Sequence, residues 1–417
     1  MSFFEIEKSI PGSLGRAGVI HTAHGDIKTP AFMSVGTHGY VRFLSADDLN
    51  AAGAQAMLSN GYHLRRQSLE IASQGGLANW CPDRQDGLPN NPWQKPTITD
   101  SGGFQVMSLG SGLGKVVSME KERGVTNTAH KERLAHVSEK GVDFTDPFDG
   151  QPDFIGPEES MRIQCQIGSD IHMAFDELTS LADTYEYNIE AMARTERWAE
   201  RSLREHLKHR DDLGYRQHLY GVLQGGRWED LRRSTAKTLG AMTVPDPTTG
   251  TPTEFDGFGL GGAFLKEDLG AILRWCNEEL PANKPRHLLG LSHPDDIFIG
   301  AEMGADTFDC VAPTREARHG KIYTHDGNLN LRQFTGVEKP LEPGCDCATC
   351  REGWTLGSLR ALWRSGDPAK KAQYYRLASA HNLRFIIRLT EEIRQSILDD
   401  RFFEFRDAFL RRYYKNA

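Results

Sequence analysis

The sequence has no stretch of about 20 consecutive apolar residues, which argues against a membrane-spanning helix. Its N-terminus, Met1-Ser-Phe-Phe-Glu-Ile-Glu-Lys8, lacks the basic and then apolar regions of a secretory leader. A soluble, cytoplasmic protein is therefore expected. No low-complexity tract or strong internal repeat is present, which sets disordered and solenoid architectures aside. Excess positive charge is missing too: the formal net charge is −8. That disfavours a wholly basic surface but not nucleic-acid binding, which needs only a local basic patch. Cysteine is scarce and odd in number, seven in all. In a chain without a leader this reads as reduced thiols rather than a disulfide framework.

What remains is ordinary globular material: 417 residues, 38% hydrophobic and 25% charged. That length suits two or three domains, or one (β/α)8 barrel of about 250 residues with additions. The pattern along the chain favours the barrel. Short apolar or β-branched runs recur at Ala31–Val35, Ala54–Leu58, Pro96–Thr99, Ile171–Phe175, His218–Leu223, Gly257–Leu260, His287–Leu291 and Asp306–Phe308. Helical patterns follow several of them, at Ser45–Gly53, Pro157–Ile167, Asn188–His209, Trp228–Leu239 and Lys266–Glu279. Short strands alternating with helices make a parallel sheet, and eight of them close a barrel.

The residues after these runs are Asn60, Asp100, Asp176, Gln224, Gly261-Gly262 and Asp309. Any one of them could simply open a loop or cap a helix. Together, in a barrel, they converge on the carboxyl-terminal mouth, where barrel active sites lie. Two segments interrupt the alternation. Residues 111–145 are polar, with Glu120, Lys121, Glu122, Arg123, Lys131, Glu132 and Arg133, and read as a β-hairpin or loop excursion over the pocket. Residues 243–256 are rich in Pro and Thr and read as a surface insertion without catalytic residues.

Four of the cysteines, Cys81, Cys165, Cys276 and Cys310, are scattered, while Cys345, Cys347 and Cys350 cluster on a tight knuckle, with His381 further on. Three thiolates and one imidazole complete a closed tetrahedral zinc site of the structural type, one ion per chain. Spacing alone assigns His381 less firmly than the cysteines, since a solvated helix histidine is the plain alternative. Asn382 to Arg412 reads as a long amphipathic helical region, with Leu383, Ile386, Ile387, Ile393 and Ile397 on its apolar side. Arg384, Arg388, Arg394 and Arg401 make its other side basic. The division expected is a barrel with the active site over 1–325, a zinc-binding subdomain over 326–385, and a helical segment packing on the barrel over 386–417.

Two aspartates at strand ends, Asp100 and Asp309, suggest the two-carboxylate chemistry of glycosyl transfer. Here the motifs converge on a known family. Asp100-Ser-Gly-Gly-Phe-Gln-Val-Met-Ser-Leu109, Met173-Ala-Phe-Asp-Glu177, Gly221-Val-Leu-Gln-Gly-Gly226, Phe308-Asp-Cys-Val311, Pro313-Thr-Arg315, Cys345-x-Cys-x-x-Cys350 and Ala380-His-Asn382 occur in family order. Jointly they resemble the tRNA-guanine transglycosylases of the bacterial type, across nearly the whole chain.

The resemblance implies an irregular (β/α)8 TIM barrel with a small C-terminal zinc-binding subdomain. It implies exchange of the wobble guanine of tRNAs with a GUN anticodon for a 7-deazaguanine base, by a homodimer. Asp309 would be the nucleophile and Asp100 the general acid/base. Ser101, Gly102, Gly103, Phe104, Asp176, Gln224, Gly261 and Gly262 would bind the base. Gly290, Leu291, Ser292, His293, Pro294, Asp295 and Asp296, with Thr314, Arg315, Glu316, Ala317 and Arg318, would touch RNA. His319 and Lys321 lie nearby. No additional C-terminal RNA-binding domain of the archaeal kind is present, which argues against action in the D-loop. The chain departs from the family pattern with Leu178 after Asp176-Glu177, and with Ala263-Phe264-Leu265 where Leu-Ala-Val is common. These walls leave the incoming base open between preQ1 and queuine. A hydrolase or base-exchange enzyme acting on DNA or nucleosides would keep both aspartates. A non-catalytic tRNA-binding subunit would not be expected to.

Overall fold

The computed structural model of the protein describes residues 2–111 and 135–415. Its centre is a closed barrel of eight strands: Ala31–Val35, Met57–Asn60, Thr97–Asp100, Ile171–Met173, His218–Leu223, Gly257–Leu260, Arg286–Leu288 and Thr307–Asp309. Each pairs in parallel with its neighbours, and the pairing of Thr307 with Ala31 and of Asp309 with Met33 closes the ring. All eight expected runs are barrel strands. Three of them, Ala31–Val35, His218–Leu223 and Gly257–Leu260, keep the expected bounds, and the other five shift by one to three residues, so that Asn60, Asp100 and Asp309 are the last residues of their strands.

Strand alternation decides what faces where. Ala31, Met33, Leu58, Ile98, Ile171, Met173, Tyr220 and Val222 fill the barrel interior. Phe32, Leu219 and Leu223, one residue out of phase, join the larger core between the strands and the outer helices. An antiparallel sheet of Phe4–Ser9, Arg16–Thr22 and Gly25–Thr29 contributes Phe4, Ile20 and Ile27 to the interior cluster. It thereby fills the amino-terminal side and leaves the carboxyl-terminal mouth for function. At its seam Arg16 donates to both oxygens of Asp306, at 2.9 and 2.7 Å, and Asp306 also accepts from the Arg286 backbone at 2.7 Å. Both charges are buried. Removing either partner would strand the other in the core, at a cost of about 3–5 kcal/mol.

The expected helices are present. Pro157–Ile167 has the expected bounds, Ala46–Ala51, Tyr185–His209 and Glu229–Gly240 differ slightly, and Lys266–Glu279 resolves into a single 3-10 turn followed by Leu269–Asn277. Of the polar stretch at 111–145, residues 112–134, including all seven charged residues singled out, lie outside the described residues. The part that follows is a three-stranded sheet of Ala135–Val137, Val142–Thr145 and Pro152–Ile155, whose Val142, Phe144 and Ile155 pack with Tyr62, Val106, Phe175 and Trp198. Residues 243–256 form a hairpin of Thr243–Pro245 and Pro252–Glu254, and Asp246 ties its turn to Arg210 at 2.5 Å.

The C-terminal helical region differs from expectation. One helix, Pro368–Leu398, starts well before Asn382, so that His381 sits in its middle. Asp367 caps it and Pro368 occupies its first turn, where a missing N–H costs nothing. It ends at Asp399–Asp400, where Asp400 has φ +58°, and a second helix spans Phe402–Tyr413. The expected apolar side is buried. Three of the four arginines on the other side are committed within the protein, Arg384 to Asp346, Arg388 to Glu342, and Arg394 to the carbonyls of Gly18 and Thr29, whereas Arg401 lies past the helix end and is exposed.

Candidate active site

The mouth of the barrel gathers the polar residues that follow or end its strands. Asp100 ends the third strand and is held by three donors. Asn60 Nδ2 donates to Oδ2 at 2.6 Å, and the backbone N–H groups of Gly61 and Gly102 both donate to Oδ1 at 3.1 Å. Asn60 is itself fixed, because its Oδ1 caps the short helix Gly61–Leu64 by accepting from His63 N–H at 2.9 Å. Gly102 has φ +78°, and a Cβ there would stand 2.9 Å from the Cβ of Tyr62, so only glycine lets this amide reach the carboxylate. Burial outweighs the three hydrogen bonds, and with the nearby charge of Asp309 it pushes the Asp100 carboxyl up to about 7.

Asp309 ends the eighth strand and is held differently. His287 Nε2 lies 3.1 Å from its Oδ1, and the Gly290 N–H donates to the same oxygen at 3.0 Å. His287 Nδ1 is 2.8 Å from the Thr307 hydroxyl. With that hydroxyl donating to Nδ1, the imidazole carries its proton on Nε2 and donates it to Asp309. Both contacts fall on Oδ1, leaving Oδ2 with no hydrogen bond among the described residues.

Between the two aspartates lies a polar pocket. Asp176 accepts from Gln224 Nε2 at 2.6 Å and from the Ser101 hydroxyl at 3.2 Å. Burial pushes its carboxyl up to about 6 against those two hydrogen bonds. Gln224 is 1% exposed and its Oε1 has no hydrogen-bond partner among the described residues. Gly262, at φ +102°, closes over it: a Cβ there would lie 3.0 Å from Gln224 Oε1 and 2.7 Å from Arg232 Nη2. Arg232 is buried and donates to the carbonyls of Gly226 and Gly261, at 2.8 Å each, which sets the pocket's backbone. Phe104 opens the helix Gly103–Ser111 and is 38% exposed, an aromatic face available at the mouth. Leu178, Ala263 and Leu265 are partly exposed, whereas Phe264 turns into the core.

This architecture agrees with what sequence comparison finds. The chain matches the family model described as queuine tRNA-ribosyltransferase over residues 12–415. It is 37% identical to the queuine tRNA-ribosyltransferase of Anoxybacillus flavithermus, covering 98% of this chain and 96% of that protein. It is 38% identical to the proteins of that name from Halothermothrix orenii (96% of this chain, 95% of that one) and Fusobacterium nucleatum subsp. nucleatum (95% of each).

The chain belongs to the queuine tRNA-ribosyltransferase family. Membership makes it a glycosyltransferase-type enzyme, and the closed barrel is the fold expected from the resemblance.

The second expected site of this family member is also assembled. Cys345, Cys347, Cys350 and His381 offer ligand atoms that all lie within 4.8 Å of one another. His381 Nδ1 is 3.8, 3.3 and 3.5 Å from the three sulfurs in that order. Its Nε2 is 2.8 Å from the Tyr323 carbonyl. A carbonyl only accepts, so Nε2 carries the proton and the Nδ1 lone pair faces the thiols, as metal-binding histidines require. The donor set fits a metal. The knuckle and the long helix are thereby joined beside a small apolar cluster that includes Ile322, Leu341, Leu359, Tyr374 and Leu377.

The residues expected to meet RNA divide by accessibility. In the first segment Gly290 is exposed and His293 and Asp295 partly so, while Leu291, Ser292, Pro294 and Asp296 are buried. Lys266 pairs with Asp295 at 2.8 Å and with Asp296 at 3.3 Å. The second segment is a helix, Ala312–Arg318, starting just past Asp309. Arg315 is exposed, Arg318 and Glu316 partly so, and Thr314 and Ala317 are buried. Burial lowers the pKa of Arg318, and the like charges of Arg42 and Arg315 lower it further. No ion pair joins any of these three arginines to a carboxylate among the described residues, whereas Glu316 is engaged by Lys321 at 2.8 Å.

Reading the sequence missed His287, Thr307, Gly61 and Arg232. His287 and Thr307 sit within strands, where a polar residue among apolar ones was the available signal. Arg232 lies among the buried positions of its helix, a cation on an apolar face.

Proposed function

We propose that the protein is a tRNA-guanine transglycosylase. It removes the wobble guanine of tRNAs with a GUN anticodon and installs a 7-deazaguanine, preQ1 or queuine. The observation that carries the reading is the unequal pair of carboxylates at one mouth: Asp100, whose carboxyl holds a proton close to neutrality, and Asp309, whose Oδ2 has no hydrogen bond among the described residues while His287 and Gly290 steady Oδ1. Asp309 attacks ribose C1′, the C1′–N9 bond breaks, and its electron pair leaves with the guanine. Asp100 gives a proton to that departing base. The arriving base then loses a proton to Asp100, its N9 attacks C1′, and the bond to Asp309 breaks, restoring the carboxylate. Two inversions return the original configuration.

Asp176 accepts from the Watson–Crick N–H groups of the base. Gln224, the Gly262 backbone, Ser101, Gly103 and Gly261 complete the pocket, and Phe104 stacks on the ring. The base must be splayed from its stack to enter. Arg315 and Arg318 then meet the neighbouring phosphates, with Gly290, His293 and Asp295 on the other side of the nucleophile. Leu178, Ala263 and Leu265 form the wall that selects the incoming base. Cys345, Cys347, Cys350 and His381 hold one zinc ion, whose bonds brace the subdomain. A homodimer would allow one subunit to help place tRNA for the other.

The test is incorporation of labelled guanine into an unmodified GUN tRNA, paired with a denaturing gel for the ribosyl adduct. Label is expected in the tRNA and lost when the wobble guanine becomes adenine. Asp309→Ala is expected to bind tRNA without forming the adduct. An adduct persisting in that variant would overturn the nucleophile assignment, and no exchange by folded, zinc-loaded protein would overturn the activity.

A further inference from the structure

A second group of metal-binding side chains lies outside both sites. Cys165 comes from the helix Pro157–Ile167, His172 from the fourth barrel strand, and His206 from the helix Tyr185–His209. Ile171 and Met173 point into the barrel, so alternation turns His172 outward, into the layer between strand and helices. All three residues are buried, at 3%, 0% and 1% exposure, so none of them is a solvated surface group.

Their geometry is that of ligands. Cys165 Sγ is 3.8 Å from His172 Nδ1 and 3.9 Å from His206 Nδ1, and donor atoms of all three lie within 4.8 Å of one another. A tetrahedral ion with bonds of about 2.3 Å to sulfur and about 2.0–2.1 Å to nitrogen separates those ligand atoms by about 3.6 Å. The span matches the 3.3–3.8 Å between His381 and its three sulfurs. Hydrogen bonding alone serves the group poorly. One thiol carries one proton for two imidazoles, both at long range, so it can serve at most one of the two Nδ1 lone pairs that face it.

We propose that Cys165, His172 and His206 bind a second zinc ion, which staples the fourth barrel strand to the helices on either side of it in sequence. Thiolate and neutral imidazole are the borderline-soft donors that this ion prefers. Zinc with one thiolate leaves a single net positive charge. Asp170, Glu205, Asp212 and Asp256 act electrostatically on these side chains, as does the cation Arg210. Gln217 is buried against the Cys165 backbone, its Nε2 3.4 Å from that carbonyl, and its Oε1 has no hydrogen-bond partner among the described residues. The fourth strand leads directly to Asp176, so the ion would hold the base pocket's carboxylate in place without touching substrate. Because the site is closed to solvent, it fills as the chain folds.

The experiment is elemental analysis of protein purified without chelators or immobilised-metal resin. Two zinc equivalents per chain are expected, falling to one in Cys165→Ala and to one in Cys347→Ala. A single equivalent in the wild type, lost entirely in Cys347→Ala and unchanged in Cys165→Ala, would overturn the proposal. If Cys165→Ala fails to fold, anomalous diffraction of the wild type at the zinc edge reads the site directly. A peak between Cys165, His172 and His206 supports it, and a map with density only at Cys345, Cys347, Cys350 and His381 refutes it.

Discussion

Replacing Asp100 with asparagine tests how the site stores the proton it needs. A carboxyl that ionises at about 7 in the folded protein, against an ordinary 3.8, is a burden on folding above neutral pH. Below the ordinary value both folded and unfolded chains carry the proton and there is no penalty. Between 3.8 and about 7 the unfolded chain releases its proton while the folded one keeps it, so stability falls as pH rises, and above about 7 the loss levels off. The full interval corresponds to about 4 kcal/mol. Asp100 keeps some contact with solvent, so we expect the realised loss to be on the order of 2 kcal/mol.

Asparagine removes this penalty but introduces a mismatch. Its Oδ1 can accept from Gly61 and Gly102, yet its Nδ2 then faces the Nδ2 of Asn60, which cannot turn over because its Oδ1 caps the next helix. That lost hydrogen bond costs about 1–3 kcal/mol at every pH. The variant is therefore expected to be less stable than the wild type near pH 4.5 and to gain on it by on the order of 2 kcal/mol by pH 8. Urea unfolding of both proteins across that range, at constant free zinc, reads the difference. A stability difference that stays flat with pH would refute the raised carboxyl and, with it, the assignment of Asp100 as proton carrier. Base exchange by the variant should be lost throughout.

Cys347→Ser should lose the metal that the site of Cys345, Cys347, Cys350 and His381 is proposed to hold and lower the unfolding midpoint, and full metal content with unchanged stability would contradict the site. Arg315→Ala and Arg318→Ala should each raise KM for tRNA severalfold and flatten its dependence on salt, as loss of a phosphate contact does. Equal salt slopes in variants and wild type would remove the RNA assignment. Gly262→Ala should cost stability, because alanine is strained at φ +102°, and should also raise KM for the free base about tenfold or more, because its Cβ displaces Gln224 or Arg232. Unchanged base affinity would show that this backbone does not shape the pocket.

Several of these features could be read from residue order alone. Eight short apolar runs with helices between them leave few solutions besides a closed parallel barrel, because each strand must be covered on both faces. Three cysteines in six residues identify a metal knuckle without any coordinates. Asp100 and Asp309 were legible because strand-end carboxylates in a barrel have one common destination. Tertiary structure decided what no local pattern encodes. His287 steadies Asp309 only because the seventh and eighth strands are neighbours in register. Asp100 keeps its proton only because the folded chain surrounds it more completely than its three donors compensate. The basic side of the long helix was legible as basic, but not that Arg384, Arg388 and Arg394 are taken up by acids and carbonyls far away in sequence. Cys165 read only as one of the scattered cysteines, and the packing of two helices on one strand brings it together with His172 and His206. Periodicity specifies which face of an element is buried; which side chains meet there depends on how the faces dock.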